Sequence, residues 1–232
     1  MIERNIQGEK AMKNWGKVLA GLVVLLPLSG GALAQSNVVT YTATLTGTAS
    51  GFATPGTLMP DGTVYVGLSP ANNKPMFVAR CDYGFTLDPN VDQTTTSACT
   101  GGRGLVAYQP SPVSTGATSA TNGAANTAIL AARSDAPAGR YCGDLALPDV
   151  NSHGYDDWYL PAFNELLVIR AAYVSAGSGW FQSSFYQVTA TTYWSSSELN
   201  STNAYYSYVH MDGSGATGKT GIYAIRCARK MN

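Results

Sequence analysis

Two histidines, His153 and His210, a serine run, Ser195-Ser196-Ser197, and four cysteines are the groups here with acid–base or nucleophilic chemistry near neutral pH. The serines lack the Gly-x-Ser-x-Gly turn that exposes a catalytic nucleophile, and neither histidine stands at a recognisable spacing from one. No two cysteines have the spacing of a zinc pair. These patterns predict a protein that is not an enzyme and calls for no cofactor. Carboxylate and carboxamide oxygens could ligate calcium, with Asp156, Glu198 and Asn200 as candidates beside Asp157 and Asp212. Asp156 and Asp157 precede a strand, where acids often cap turns.

The chemistry best represented is recognition. Asn200, Ser201, Thr202, Asn203, Tyr205, Tyr206, Tyr208 and His210 form a dense Asn/Ser/Tyr stretch. Tyrosine supplies a large, rigid contact area at low entropy cost, and Asn and Ser supply adaptable hydrogen bonds. The candidate ligand-binding residues are Asn200, Asn203, Tyr205, Tyr206, Tyr208 and His210, facing a glycan or a protein. A sulfated ligand calls for a cationic cluster, and Lys219 is the one base in the C-terminal loop.

Several elements must position this stretch. Residues 204–211 alternate, so Tyr206, Tyr208 and His210 share one strand face and Tyr205, Ser207 and Val209 the other. Thr192 to Ser197 reads as a strand running into a polar loop, Ser214 to Gly221 as a glycine-rich loop, and Ile222 to Cys227 as the last strand. Upstream, Gly154 to Leu167 reads as a turn, a short aromatic strand, Pro161 at the first helical position, and an amphipathic helix. Phe163, Leu166, Leu167, Ala171 and Val174 recur at helical spacing, and Glu165 suits the first turn. Asn126 is the expected N-cap of one earlier helix, and Pro137 opens another over 138–145 that carries Cys142 inward. Thr63 to Leu68 and Met76 to Ala79 read as short strands, either a hairpin module or the first strands of the main domain. Strands, then helices, then strands give an α+β class.

The 232-residue chain holds 25 Gly and 14 Tyr against 6 Phe, and only 12% of it is charged. That composition fits a secreted, loop-rich protein. Lys13 and Lys17, the apolar run Val18–Leu28 and the small residues Ala32-Leu33-Ala34 make a secretory signal pattern. The run is too short to span a membrane stably, so no transmembrane span is expected after cleavage. Gln35, rather than Cys, follows the cut, which argues against lipid attachment. Met12 is the more natural start, so residues 1–11 are set aside. Removing residues 1–34 takes four basic and two acidic groups from 14 of each and leaves a net charge of −2. Nothing basic speaks for nucleic acid.

An even number of cysteines in an exported chain implies two disulfides. Three connectivities are open. The layout favours Cys81–Cys99, closing the loop Asp82–Ala98, and Cys142–Cys227, tying the last strand to the helix ahead of the aromatic stretch. Each would add about 2–4 kcal/mol.

Five spaced blocks carry a family resemblance. Asn122-Gly123-Ala124-Ala125-Asn126-Thr127-Ala128 resembles a "DG-x-ANTA" block, and Ala138 to Cys142 an "AA-x-YC" helix. Gly154 to Leu166 resembles "GY-x-DWYLPA-x-x-EL", Tyr193 to Glu198 matches "YWSSSE", and Ala224 to Arg229 resembles a closing "VRCVR". In this order they resemble the Legionella collagen-like protein C-terminal (Lcl C-terminal-like) domain family, over roughly residues 120–229. Asn122 stands where the family has Asp, and no collagen repeat precedes the domain. The resemblance implies a C-type-lectin-like α+β domain, with two to three helices around a small mixed or antiparallel sheet. It also implies an adhesin role; the namesake domain binds sulfated polysaccharides. The expected organisation is a leader at 1–34, a short β-rich segment at 35–80 and the Lcl C-terminal-like domain at 81–232. The expected protein is secreted, periplasmic or at the cell surface and recognises an extracellular glycan or protein, with an oligomer left open. The alternative is a structural subunit of an extracellular appendage or envelope assembly, whose strands within 36–80 pair with neighbours.

Overall fold

Trp158, Tyr159 and Leu160 run extended between two sheets, so their side chains alternate between two cores. Tyr159 enters a cluster with Val64, Met76, Val78, Leu166 and Ile169. Trp158 and Leu160 enter another with Tyr108, Leu130, Trp194, Ile225 and the Cys142–Cys227 pair. The computed structural model describes residues 53–88, 99–176, 192–209 and 213–231, which fall within one unit, Ala53–Met231. The leader and residues 36–50 lie outside the described residues. Within them, no helix is long and apolar enough to cross a membrane.

The fold is α+β. Strands β1 (Val64–Leu68), β2 (Pro75–Val78) and β10 (Ala228–Lys230) form one antiparallel sheet in the order β1-β2-β10. β3 (Phe85–Leu87) pairs with β4 (Cys99–Gly101), and β5 (Val106–Ala107) with β9 (Ile222–Tyr223). β6 (Thr192–Glu198), β7 (Asn203–Tyr208) and β8 (Ser214–Gly218) form the other three-stranded antiparallel sheet, with β8 at its edge. Reciprocal 2.8 Å bonds join Tyr159 to Ala228, and the Ser196 amide donates to the Pro161 carbonyl at 2.8 Å, so the aromatic stretch ties the two larger sheets together. Helices α1 (Gly123–Ala131), α2 (Pro137–Gly143) and α3 (Phe163–Ala176) complete the unit. Both expected disulfides, Cys81–Cys99 and Cys142–Cys227, are present.

Of the two readings left open for residues 64–78, pairing of β2 with both β1 and β10 within the unit Ala53–Met231 fits the first strands of the main domain. Several expectations are corrected. Asn122, not Asn126, caps α1, accepting from the Ala125 amide; Asn126 sits buried inside the helix. Ser214–Gly218 is a strand, not a loop, because β7 supplies the ladder its glycines and serine would not call for alone. The last strand is broken, because residues 224–227 spend their backbone groups on Thr192, Trp194, Ala79 and Tyr83.

Helix α3 begins two residues later than Pro161 predicts and is rotated. Its buried residues are Glu165, Leu166, Ile169 and Ala172, whereas Ala171 and Val174 face solvent. The cause is Glu165. Its Oε2 accepts from the Ala162 amide at 3.0 Å, the reach-back of a capping box, and from the Gly123 amide at 3.0 Å. Its Oε1 accepts from Ser69 Oγ (2.8 Å), Lys230 Nζ (3.2 Å) and Tyr159 OH (3.3 Å). The carboxylate is fully buried, and aiming it inward sets which face of the helix follows. Gly123 is needed beside it: a Cβ there would sit 2.5 Å from Glu165 Oε2.

Glu165→Ala leaves these donors and the Lys230 ammonium without their acceptor. The expected loss is about 3–5 kcal/mol of stability, read from urea unfolding midpoints, with both disulfides intact by non-reducing peptide mapping.

Candidate functional site

On β7, side chains alternate as the sequence predicts. Ala204, Tyr206 and Tyr208 take one face, and Asn203, Tyr205 and Ser207 the other. Register places Trp194 of β6, Tyr206 and Gly215 of β8 in one row across the sheet, with Thr192 and Tyr208 in the next. Tyr206 and Tyr208 are half-buried. Their rings meet edge to face at 5.8 Å, and Tyr206 meets Tyr223 at 5.7 Å.

This surface cluster grows out of the core. Tyr223 lies 4.5 Å from Trp194, which lies 5.7 Å from Tyr108. Trp194 Nε1 donates to the Val106 carbonyl at 2.9 Å, and Tyr108 OH donates to the Ser196 carbonyl at 2.9 Å. The inner rings are therefore fixed by hydrogen bonds and burial, and the outer rings by the inner ones. Among the described residues, the Tyr206 and Tyr223 hydroxyls have no hydrogen-bond partner. On the β8 side the floor is glycine. A Cβ at Gly213 would lie 2.8 Å from the Tyr208 ring, and one at Gly215 would lie 3.4 Å from the Tyr206 hydroxyl. The Tyr208 ring thus leaves no room for a Cβ at Gly213, whose positive φ also favours glycine, while the Tyr206 hydroxyl sits at ordinary contact distance over Gly215.

The other predicted residues separate from this cluster. Tyr205 stacks on Phe163 at 4.6 Å on the opposite face. Asn200 and Asn203 build the β6–β7 turn: Asn200 Oδ1 accepts from the Thr202 amide and hydroxyl, both at 3.0 Å, and from the Asn203 amide (2.9 Å) and Nδ2 (3.2 Å). This turn-holding carboxamide is a structural device. His210 lies outside the described residues. Among the described residues, the candidate surface is the cluster of Tyr206, Tyr208 and Tyr223.

Glu198 is not a calcium ligand here, because its oxygens are already saturated. Oε1 accepts from Ser114 Oγ and the Gly116 amide, and Oε2 from the Thr115 amide and hydroxyl, all at 2.8 Å. Lys219 Nζ lies 2.7 Å from Oε2 and supplies the positive charge a metal would bring. Asp156 is exposed and lies beside Asp157, which Arg229 grips at 2.7 and 3.1 Å. Among the described residues, no group of three or more His, Cys, Asp or Glu side chains could hold a metal ion.

The acid–base candidates are likewise engaged in structure. His153 Nδ1 lies 3.0 Å from the Asp61 carbonyl, which can only accept, so Nδ1 carries the proton and Nε2 accepts from the Arg80 amide at 3.4 Å. Burial lowers the His153 pKa below its ordinary value, with Arg80 and Arg229 pushing the same way. Ser195, Ser196 and Ser197 are fully buried where the β6–β7 register shifts. Ser195 Oγ donates to the Tyr205 carbonyl at 3.0 Å, and Ser197 Oγ donates to the Ser119 carbonyl at 2.7 Å and accepts from the Phe163 amide at 2.9 Å. These serines knit loops together. The chain matches no known protein-family profile and no curated protein.

Sequence reasoning missed Tyr223, Trp194 and the two glycines. One signal could have found Gly213: a glycine closing the turn five residues after Tyr208, where the ring leaves no room for a Cβ.

Burial alone would raise the Glu198 pKa, but Lys219, Thr115 and Gly116 outweigh it and lower it from 4.5 to about 2. A depressed carboxylate stabilises the fold above its unfolded pKa and loses that contribution as pH falls through the folded one. Stability is therefore expected to drop between about pH 4.5 and 2, and Glu198→Gln to flatten that drop while lowering stability at pH 7. Denaturant titrations across that range check both.

Proposed function

We propose that the chain is an exported, non-catalytic binding protein of the Lcl C-terminal-like, C-type-lectin-like kind, recognising an extracellular glycan or protein through Tyr206, Tyr208 and Tyr223. The observation that carries this reading is the ring cluster itself. Three half-buried tyrosines are braced against the buried Trp194, and two of them have hydroxyls with no partner among the described residues. Rings held this way lose little entropy on binding, and the Tyr206 and Tyr223 hydroxyls remain available to a ligand. Export is supported by the signal pattern and by two disulfides, which persist in oxidising compartments. The non-catalytic reading is supported by the engagement of His153, the three serines and all four cysteines in structural bonds.

The ligand is expected to be uncharged or weakly charged where it meets the rings. Lys219, the base nearest in sequence to β8, is fully buried against Glu198. Among the described residues of β7 and β8 and the Lys219 that follows, a sulfated chain would find no free cation, so shape and hydrogen bonding select instead.

A mixed glycan and protein array probed with the mature chain tests the reading. Tyr206→Ala and Tyr208→Ala are each expected to weaken the positive signal about tenfold or more. Tyr205→Ala, on the opposite face, should leave it within about twofold. Equal loss from all three, with thermal midpoints unchanged, would exclude the tyrosine face.

A further inference from the structure

Strand β8 ends its sheet: the order is β6-β7-β8, and no described strand lies beyond it. Ser214, Ala216 and Gly218 are exposed, and Gly215 and Thr217 half-exposed. A sheet edge presents a row of backbone donors and acceptors, and proteins usually guard it with lysine, proline or a bulge. This edge carries none of those. Its five residues, Ser-Gly-Ala-Thr-Gly, bear no charge, and its pairing with β7 runs from Ser214 to Gly218 without a register shift. The lysine that could guard it, Lys219, is drawn inward to Glu198.

We infer that β8 is an interface for a second copy of this chain, paired antiparallel about a two-fold axis at Ala216. Three features select a second copy over a foreign strand. A charged edge would repel its own image, whereas this one is neutral against itself. A two-fold at Ala216 sets Ser214 opposite the partner subunit's Gly218, and Gly215 opposite the partner subunit's Thr217, so no bulky pair collides. The Tyr206 ring overhangs Gly215, which brings it over the partner subunit's Thr217, and the symmetric contact forms at the other end. The interface is isologous and closes after two copies, which saturates the edge rather than propagating a fibre. It joins two three-stranded sheets into one of six strands with both tyrosine clusters on one face. That last consequence, a bivalent binding surface, rests on the function proposed above; the pairing itself does not.

The register makes the test sharp. Residues directly opposite in an antiparallel pair have Cα atoms about 4.5–5.5 Å apart, within disulfide reach. Ala216 faces itself across the axis, whereas the two copies of Thr217 stand about 8 Å apart at antiparallel spacing. All four native cysteines are already paired. Ala216→Cys in the otherwise intact mature chain is therefore expected to oxidise to a covalent dimer on a non-reducing gel at least tenfold faster than Thr217→Cys. Sedimentation velocity of the parent chain should show a concentration-dependent dimer, and Ala216→Lys should weaken it at least tenfold without lowering the thermal midpoint. A parent chain that stays monomeric at every soluble concentration overturns the inference. So does cross-linking at equal rates from both cysteine variants, or a dimer indifferent to Ala216→Lys. None of these readouts involves a ligand, so their failure leaves the tyrosine-face reading standing, and failure of the array leaves the dimer standing.

Discussion

A buried carboxylate surrounded by donors is the interaction on which this fold depends, and Glu165 is its central case. Removing a charge from water costs several kcal/mol, and the cost is met only when nearly every lone pair finds a donor. Glu165 collects donors from the loop after β1, the start of α1, the N-cap of α3, the aromatic stretch and β10. Segments far apart in sequence must therefore arrive together for any one of them to be stable. The arrangement is cooperative by construction, because losing one donor strands a charge rather than one hydrogen bond.

The same device recurs twice. Asp82 is fully buried and receives Arg226 Nε at 2.6 Å, Tyr193 OH at 2.8 Å and Arg103 Nε at 2.9 Å. Glu198 gathers the loop at 114–116 and Lys219. A chain this poor in charge, and this rich in glycine and serine, has long segments that cannot anchor themselves by apolar burial. Acid hubs hold those segments by their backbone amides, and the two disulfides hold the chain around them. The tyrosine cluster inherits its rigidity from this arrangement: β6 carries both Trp194, which braces the rings, and Glu198, which fixes the loop beside it.

How much of this the sequence discloses follows from the range of each effect. Local signals read correctly: the inward Cys142, Pro137 at the start of α2, the alternation on β7 and the buried Trp158-Tyr159-Leu160 triplet. The α+β class follows from the order of such elements. Errors arise where a distant partner overrides a local preference. Pro161 favours a helix start, but its carbonyl is taken by Ser196, so α3 starts at Phe163. Glycines in β8 read as loop, yet pairing with β7 makes them a strand. Glu198 has the ligand chemistry for calcium, but nothing local reveals that Lys219 will reach it first.

The fate of the cations connects the hubs to the character of the surface. Arg226 and Arg103 go to Asp82, Lys230 to Glu165, Lys219 to Glu198 and Arg229 to Asp157. Bases that could have formed an exposed positive patch are spent on the interior and its margins. The face of β7 and β8 is consequently built from phenol rings, glycine and small hydroxyl side chains, with no field to attract a polyanion. On the binding role proposed above, recognition there would depend on ring faces and hydroxyls, terms that salt screens far less than ion pairs. The inward pairing of Lys219 with Glu198 thus bears on both proposals at once: it leaves the ring face without that cation and the β8 edge without its lysine.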